Sequence, residues 1–199
     1  MPSLLIPLGC YLTSDLKGIN ANTILLFYFI AHYTNRTIIY PLRIVGGKKT
    51  PFGVLMSALG FCLMNGYING RYLAKYAVYD KDYLTSPCFV FGSLMFWIGM
   101  AINWHSDDIL RNLRKPGDVG YKIPMGGMFT YISGANFFGE IIEWTGFAIA
   151  TGGAIPAVTF ALSTFFNIAP RAVSHHDWYL SKFEDYSKLG RKRIIPFIY

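Results

Sequence analysis

The run Cys88-Phe-Val-Phe-Gly-Ser-Leu-Met-Phe-Trp-Ile-Gly-Met-Ala-Ile-Asn103 carries no charge and no strand-like alternation of apolar and polar positions. A hydrocarbon core about 30 Å thick is crossed by roughly 20 mainly apolar helical residues, so this run reads as a membrane span. Segments 23–40, 52–67, 129–150 and 154–168 read the same way, while 4–12 is too short to cross and reads as the remnant of a longer helix. The expected fold class is all-α: a polytopic transmembrane helix bundle of five full spans plus a short N-terminal helix, with residues 1–199 forming a single membrane domain. Composition agrees, with 53% hydrophobic and only 15% charged residues, where soluble domains carry about 25% charged.

The net charge of +7 raises the question of nucleic acid, but the basic residues are scattered between apolar stretches and form no stripe. They fit membrane-flanking loops better. Five spans put segments 41–51, 104–128 and 169–199 on one side, with 13 of the 18 Lys and Arg residues. Lys17, Arg71, Lys75 and Lys81 fall on the other side and Arg36 inside a span. The positive-inside rule makes the basic side, which includes the C-terminus, cytosolic. No cleavable signal is expected at Met1-Pro2-Ser3-Leu4-Leu5, which lacks a positive start and a small-residue cleavage site. Cys10, Cys62 and Cys88 lie in apolar sequence without metal-ligand spacing and are expected to be buried thiols.

Polar residues inside apolar helices are costly and single out candidates. Tyr33, Arg36 and Tyr40, beside His32, share a helical face at i, i+3 and i+7. Snorkelling of Arg36 to the interface is the plainer alternative. Asn136, Glu140 and Glu143 form an acidic stripe suited either to pairing with Arg36, Arg114 or Arg171, or to holding amide and hydroxyl groups of a ligand. Asn103, Asp107, Arg111 and Arg114 recur on one face of a helix leaving the membrane. That is a grip for phosphate and ribose, because Arg forks bind phosphate bidentately; a solvated charged face is the alternative. Arg171, His175 and Tyr179 repeat the pattern nearer the C-terminus. His175 and His176 are adjacent, but no third ligand follows at suitable spacing, so no metal is expected. Several arginines and acids at one membrane face suit a large anionic ligand. Gly117-Asp118-Val119-Gly120 and Gly126-Gly127 match neither a dinucleotide-binding nor a Walker pattern.

The strings Asn103-Trp-His-Ser-Asp107, Leu110-Arg-Asn-Leu-Arg-Lys-Pro-Gly117, Tyr121-Lys-Ile-Pro124, Ser133-Gly-Ala-Asn-Phe-Phe-Gly-Glu140-Ile-Ile-Glu143-Trp144, Phe183-Glu-Asp-Tyr186 and Ile195-Pro-Phe197 resemble those of the steroid 5α-reductases, the 3-oxo-5α-steroid 4-dehydrogenases. The resemblance covers nearly the whole chain. It implies a multi-pass enzyme of the endoplasmic reticulum (microsomal) membrane that uses NADPH to reduce the 4,5 double bond of a 3-oxo-4-ene steroid, such as testosterone or progesterone, to the 5α-dihydro product. The reductase region is about 100–199, the steroid enters from the bilayer, and neither nucleic acid nor metal takes part.

By the same resemblance, the cofactor contacts are Arg36, Tyr40, Asn103, Asp107, Arg114, Tyr121, Asn136, Glu140, Arg171, His175 and Tyr179. Tyr33 is the catalytic residue at the steroid 3-oxo group, and Phe61 and Trp144 are substrate-binding walls of the steroid pocket. Met1-Pro2-Ser3 matches the end of the family's Gln-Glu-Leu-Pro-Ser or Gln-Glu-Met-Pro-Ser, so the family's first helix and the Glu that also reaches the 3-oxo group are expected to be missing. Ser187 and Phe147 are smaller departures, from proline and tyrosine. The alternatives are a related reductase of enoyl lipids and an inactive, truncated form that binds cofactor.

Overall fold

The computed structural model describes residues 1–16, 18–44, 49–114, 118 and 120–199. Lys17, Lys48 and Lys115 of the charge tally, and Gly117 and Val119 of the glycine-bearing string, lie outside the described residues. Among the described residues the structure is helical, its one extended pairing being an isolated bridge between Ile132 and Lys192. The main helices are α1 (Pro2–Leu12), α2 (Ala21–Thr34), the short α3 (Tyr40–Arg43), α4 (Phe52–Arg71), α5 (Pro87–Arg111), α6 (Ala135–Ala150) and α7 (Ile155–Lys182). A π turn over Asn35–Ile39 joins α2 to α3, and another over Tyr72–Tyr76 extends α4.

Among the described residues, two helices, Phe52–Tyr76 and Pro87–Arg111, are long and apolar enough to cross a membrane. Along α4 the large side chains Phe52, Leu55, Leu59, Leu63 and Met64 are exposed. An exposed apolar surface of that extent suits hydrocarbon as its solvent. The expected span at 129–150 is shorter as a helix: α6 begins at Ala135. The N–H groups of Ser133 and Gly134 donate to the carbonyls of Lys192 and Arg193, which keeps this stretch extended. The segment 154–168, expected as a span, lies in a longer helix, α7, which runs on to Lys182 through Pro170. Cys10 is buried and Cys62 half-buried, but Cys88 is exposed, which corrects the expectation of three buried thiols. Cys88 lies on a part of α5 whose neighbours Val90, Phe91 and Leu94 are exposed too, so apolar sequence there marks an outward face.

The chain divides into two compact units, Met1–Gly92 with Phe147–Phe160, and Ser93–Gly146 with Ala161–Tyr199. In the first, α1 lies against α4 at backbone contact. A Cβ on Gly66 would stand 3.2 Å from Ser3 Cα, and one on Gly70 would stand 2.8 Å from Pro7 Cα. Small residues four apart permit that approach. Asn20 and Thr23 form a capping box that starts α2. Asn22 Nδ2 donates to the carbonyls of Leu73 and Ala77, both at 2.8 Å, and so satisfies backbone that the π turn leaves open. Leu25 and Phe29 are fully buried, with Phe29 against Phe147 and Phe160.

In the second unit α5 and α6 also meet at backbone contact. A Cβ on Gly99 would fall 2.3 Å from Glu143 N, and one on Gly139 would fall 2.5 Å from Asn103 N. Phe129, Ile132 and Ala135 form a buried cluster with Ile109, Leu110, Met128 and Phe138 packed around it.

Candidate active site

In the first unit the polar centre is Tyr33. Asn69 Nδ2 donates to Asn65 Oδ1 at 2.8 Å, and Asn65 Nδ2 donates to the Tyr33 hydroxyl oxygen at 3.1 Å. Asn65 and Asn69 are both buried. A donor onto the phenol oxygen polarises its O–H and strengthens it as a donor in turn. The ring is held by Phe29 at 4.8 Å and by His32, edge-on, at 5.0 Å. Arg36 lies on the π turn with its guanidinium 5.3 Å from the Tyr40 ring centroid, a cation–π contact. The turn widens the helix between Tyr33 and Tyr40, so the regular i, i+3, i+7 face is altered there. Phe61 is 46% exposed and meets Phe160 at 6.1 Å.

In the second unit Asn103 and Asp107 are buried on α5. Asn103 Nδ2 donates to the Asn136 carbonyl at 2.9 Å, which ties α5 to the first turn of α6. Arg111 ends α5 and pairs with Asp108. Arg114 lies beyond the helix end, so the expected single face from Asn103 to Arg114 stops at Arg111. Glu140 is half-buried and Glu143 fully buried on α6. Trp144 is also buried, edge-on to Phe96 at 6.1 Å.

The structure brings together Tyr121, His175 and Tyr179, which with Ser174 and Trp178 line a cavity of about 450 Å³. That volume lies in the range of small-molecule sites. Tyr121 meets Trp178 edge-on at 4.9 Å, and the Arg114 guanidinium lies 5.7 Å from the Tyr121 ring centroid. Arg171 is exposed one turn before His175. His175 is exposed on the helix surface, yet partial loss of hydration, and then the Arg171 charge, hold its imidazole below its usual pKa, so it is neutral near pH 7 and offers one donor and one acceptor. Burial, with Tyr186 adding and Arg191 opposing, raises the Tyr179 phenol, which keeps its proton.

Behind this wall Ser133 Oγ lies 2.6 Å from His176 Nδ1 and 2.6 Å from the Tyr186 hydroxyl. His176 therefore belongs to a buried hydrogen-bonded network, and among the described residues no group of three metal-ligating side chains occurs. Sequence reasoning assigned no role to Asn65, Asn69, Ser133, Tyr186 or the buried Arg191. The first two could have been noticed as amides one helical turn apart in an otherwise apolar segment. The others become interpretable only once the C-terminal tail is seen to pair with residues 131–134.

These features define a helical protein with membrane-type helices, a part-buried amide–phenol relay and an aromatic cavity near a cationic helix end. A family model described as 3-oxo-5-alpha-steroid 4-dehydrogenase matches residues 48–199. The chain is 48% identical over 200 residues to 3-oxo-5-alpha-steroid 4-dehydrogenase 1 of Rattus norvegicus, with 100% of this chain and 76% of the rat protein covered. Against the Homo sapiens proteins it is 48% identical to dehydrogenase 1 over 201 residues and 44% identical to dehydrogenase 2 over 200. Those matches cover 100% of this chain and 77% and 78% of the human proteins respectively. The chain belongs to the 3-oxo-5-alpha-steroid 4-dehydrogenase family, a family of oxidoreductases.

Proposed function

We propose that this chain reduces the 4,5 double bond of a 3-oxo-4-ene steroid such as testosterone or progesterone, with NADPH as reductant. The observation that carries the reading is identity near 48%, over the full chain, to relatives named for this reaction. The residues present fit the cofactor. Tyr121, Trp178 and Tyr179 offer ring faces and edges to a heteroaromatic base, the neutral His175 offers a hydrogen bond, and Arg114 and Arg171 offer charge to phosphates. By the family resemblance, Asn103, Asp107, Asn136 and Glu140 are assigned to the hydroxyl and carboxamide groups of the cofactor, and Arg36 and Tyr40 are assigned to it separately. NADPH supplies the hydride when bound.

The chain's own residues bind, orient and stabilise. Hydride arrival at C5 of an enone drives electron density through C4 and C3 onto the 3-oxygen. Tyr33 donates a hydrogen bond to that oxygen, and its donor strength is raised by Asn65 and Asn69. A donor aimed at developing charge lowers the barrier by about 3 kcal/mol. The resulting enolate takes a proton at C4 from water, which leaves the 3-oxo group restored and the 4,5 bond saturated. By the family resemblance, Phe61 and Trp144 are each assigned to contact with the steroid. The protein lies in the endoplasmic reticulum membrane as one domain of five spans, with the C-terminus cytosolic and the steroid entering from the bilayer. The excess of basic residues in segments 41–51, 104–128 and 169–199 supports that orientation.

The test is NADPH-dependent conversion of testosterone by the purified chain in lipid, alongside Arg114→Ala and Asn136→Ala. Product should form, and each substitution should raise the NADPH KM by about tenfold, the worth of one hydrogen bond to a charged or amide group. Turnover of an enoyl lipid in preference to the steroid would overturn the substrate assignment. Unchanged cofactor affinity in both variants would overturn the cofactor residues.

A further inference from the structure

Arg191 opens the basic run Arg191-Lys192-Arg193, yet it is only 6% exposed. A buried guanidinium is costly unless its N–H groups find acceptors. Nη1 donates to the Pro124 carbonyl at 2.8 Å and Nη2 donates to Met125 Sδ. The guanidinium carbon also lies 5.6 Å from the Tyr186 ring centroid, and Tyr186 stacks on Tyr179 at 5.0 Å with 16° between the rings. The backbone beside Arg191 is itself fixed, because Lys192 N donates to Tyr131 O at 2.9 Å and Ser133 N donates to Lys192 O at 2.9 Å. Pro124 and Met125 follow Tyr121 closely, and Tyr121 and Tyr179 both line the 450 Å³ cavity. Arg191 is not among the lining residues, so one guanidinium connects two walls of a cavity it does not touch.

We propose that Arg191 is a positioning residue for the dinucleotide-binding cavity: it fixes the loop that carries Tyr121 and, through Tyr186, the ring of Tyr179. The inference rests on the cofactor reading above. Arginine suits the task because its planar fork serves two adjacent acceptors while presenting a face to a ring, whereas a lysine ammonium is a point charge without that fork.

The experiment compares the full chain in detergent with Arg191→Lys and Arg191→Met. The first readout, without nucleotide, is the rate of tryptic cleavage after Lys122. The second is the NADPH KM and the kcat of testosterone reduction. Arg191→Met should cleave about tenfold faster and raise the NADPH KM about tenfold, with kcat at saturating NADPH within about twofold, since the bonds lost hold the loop and not the reacting atoms. Arg191→Lys should fall between the two and carries the test if the Met variant does not fold. Equal cleavage and equal NADPH KM in all three chains, with the unsubstituted chain saturating normally, would overturn the role of Arg191 alone. Failure of the unsubstituted chain to saturate with NADPH would sink the cofactor reading on which the proposal depends.

Discussion

Tyr33 receives its hydrogen bond from an amide that is itself the acceptor of a second amide. Tyr33→Phe removes the phenol donor and should lower kcat by about 100-fold with the NADPH KM nearly unchanged, the pattern for an interaction made mainly in the transition state. Asn65→Leu should lower kcat by about tenfold, since it removes one donor onto the phenol and leaves Tyr33 in place. Steady-state kinetics at saturating NADPH distinguishes the two, and a kcat loss larger for Asn65→Leu than for Tyr33→Phe would contradict the relay. The candidates at this scale were visible because a phenol, an arginine and paired acids are out of place in apolar helices. Asn65 and Asn69 are not marked in the same way, because an uncharged amide costs an apolar helix less than a charge does.

At the scale of the helices, glycine sets how closely pairs approach. Gly139→Ala puts a methyl 2.5 Å from Asn103 N and 2.8 Å from Gly99 O, backbone atoms that cannot yield as a flexible side chain would. The substitution should cost about 1–3 kcal/mol of stability by overpacking. Gly60→Ala on α4 meets nothing within 4 Å, so it should leave stability unchanged or raise it by about 0.5 kcal/mol. Thermal unfolding in detergent reads both, and equal midpoints for the two variants would show that the α5–α6 contact is not tight. The tight turn after α6 has the same dependence on glycine: Gly152 has φ +70°, and a Cβ there would stand 2.8 Å from the Tyr83 hydroxyl. Helix existence followed from apolar runs alone. The start of α6 did not, because residues 132–134 are apolar or small enough to be helical and are kept extended by the distant tail.

At the scale of the whole chain, the C-terminal tail is built into the second unit. The Ser133–His176–Tyr186 network, the Lys192 backbone pairing and the Arg193–Asp177 ion pair at 3.3 Å anchor it. His176 is held below the usual imidazole pKa by burial and then by Arg193, with Asp177 opposing. The unfolded chain therefore takes up a proton near the ordinary value while the folded chain still resists it. Stability is lost as pH falls below that value, and the loss continues until the lowered folded pKa is passed. The thermal midpoint should drop between pH 7 and pH 5, and His176→Gln should drop less over that window. Identical slopes for the two chains would show that His176 does not carry the dependence.

The all-helical class, the membrane-suited composition and most polar candidates are legible in the chain of residues, because they depend on local hydropathy and on spacing along a helix. The family follows as well, since its long ungapped strings survive in linear order. Tertiary structure alone decided three things: that Arg191 is buried, that His176 joins a serine and a tyrosine distant in sequence, and that Asn65 serves Tyr33. Each depends on segments far apart in the chain being brought within hydrogen-bonding distance, where burial changes what a polar group must find. Spacing along one helix carries no record of that.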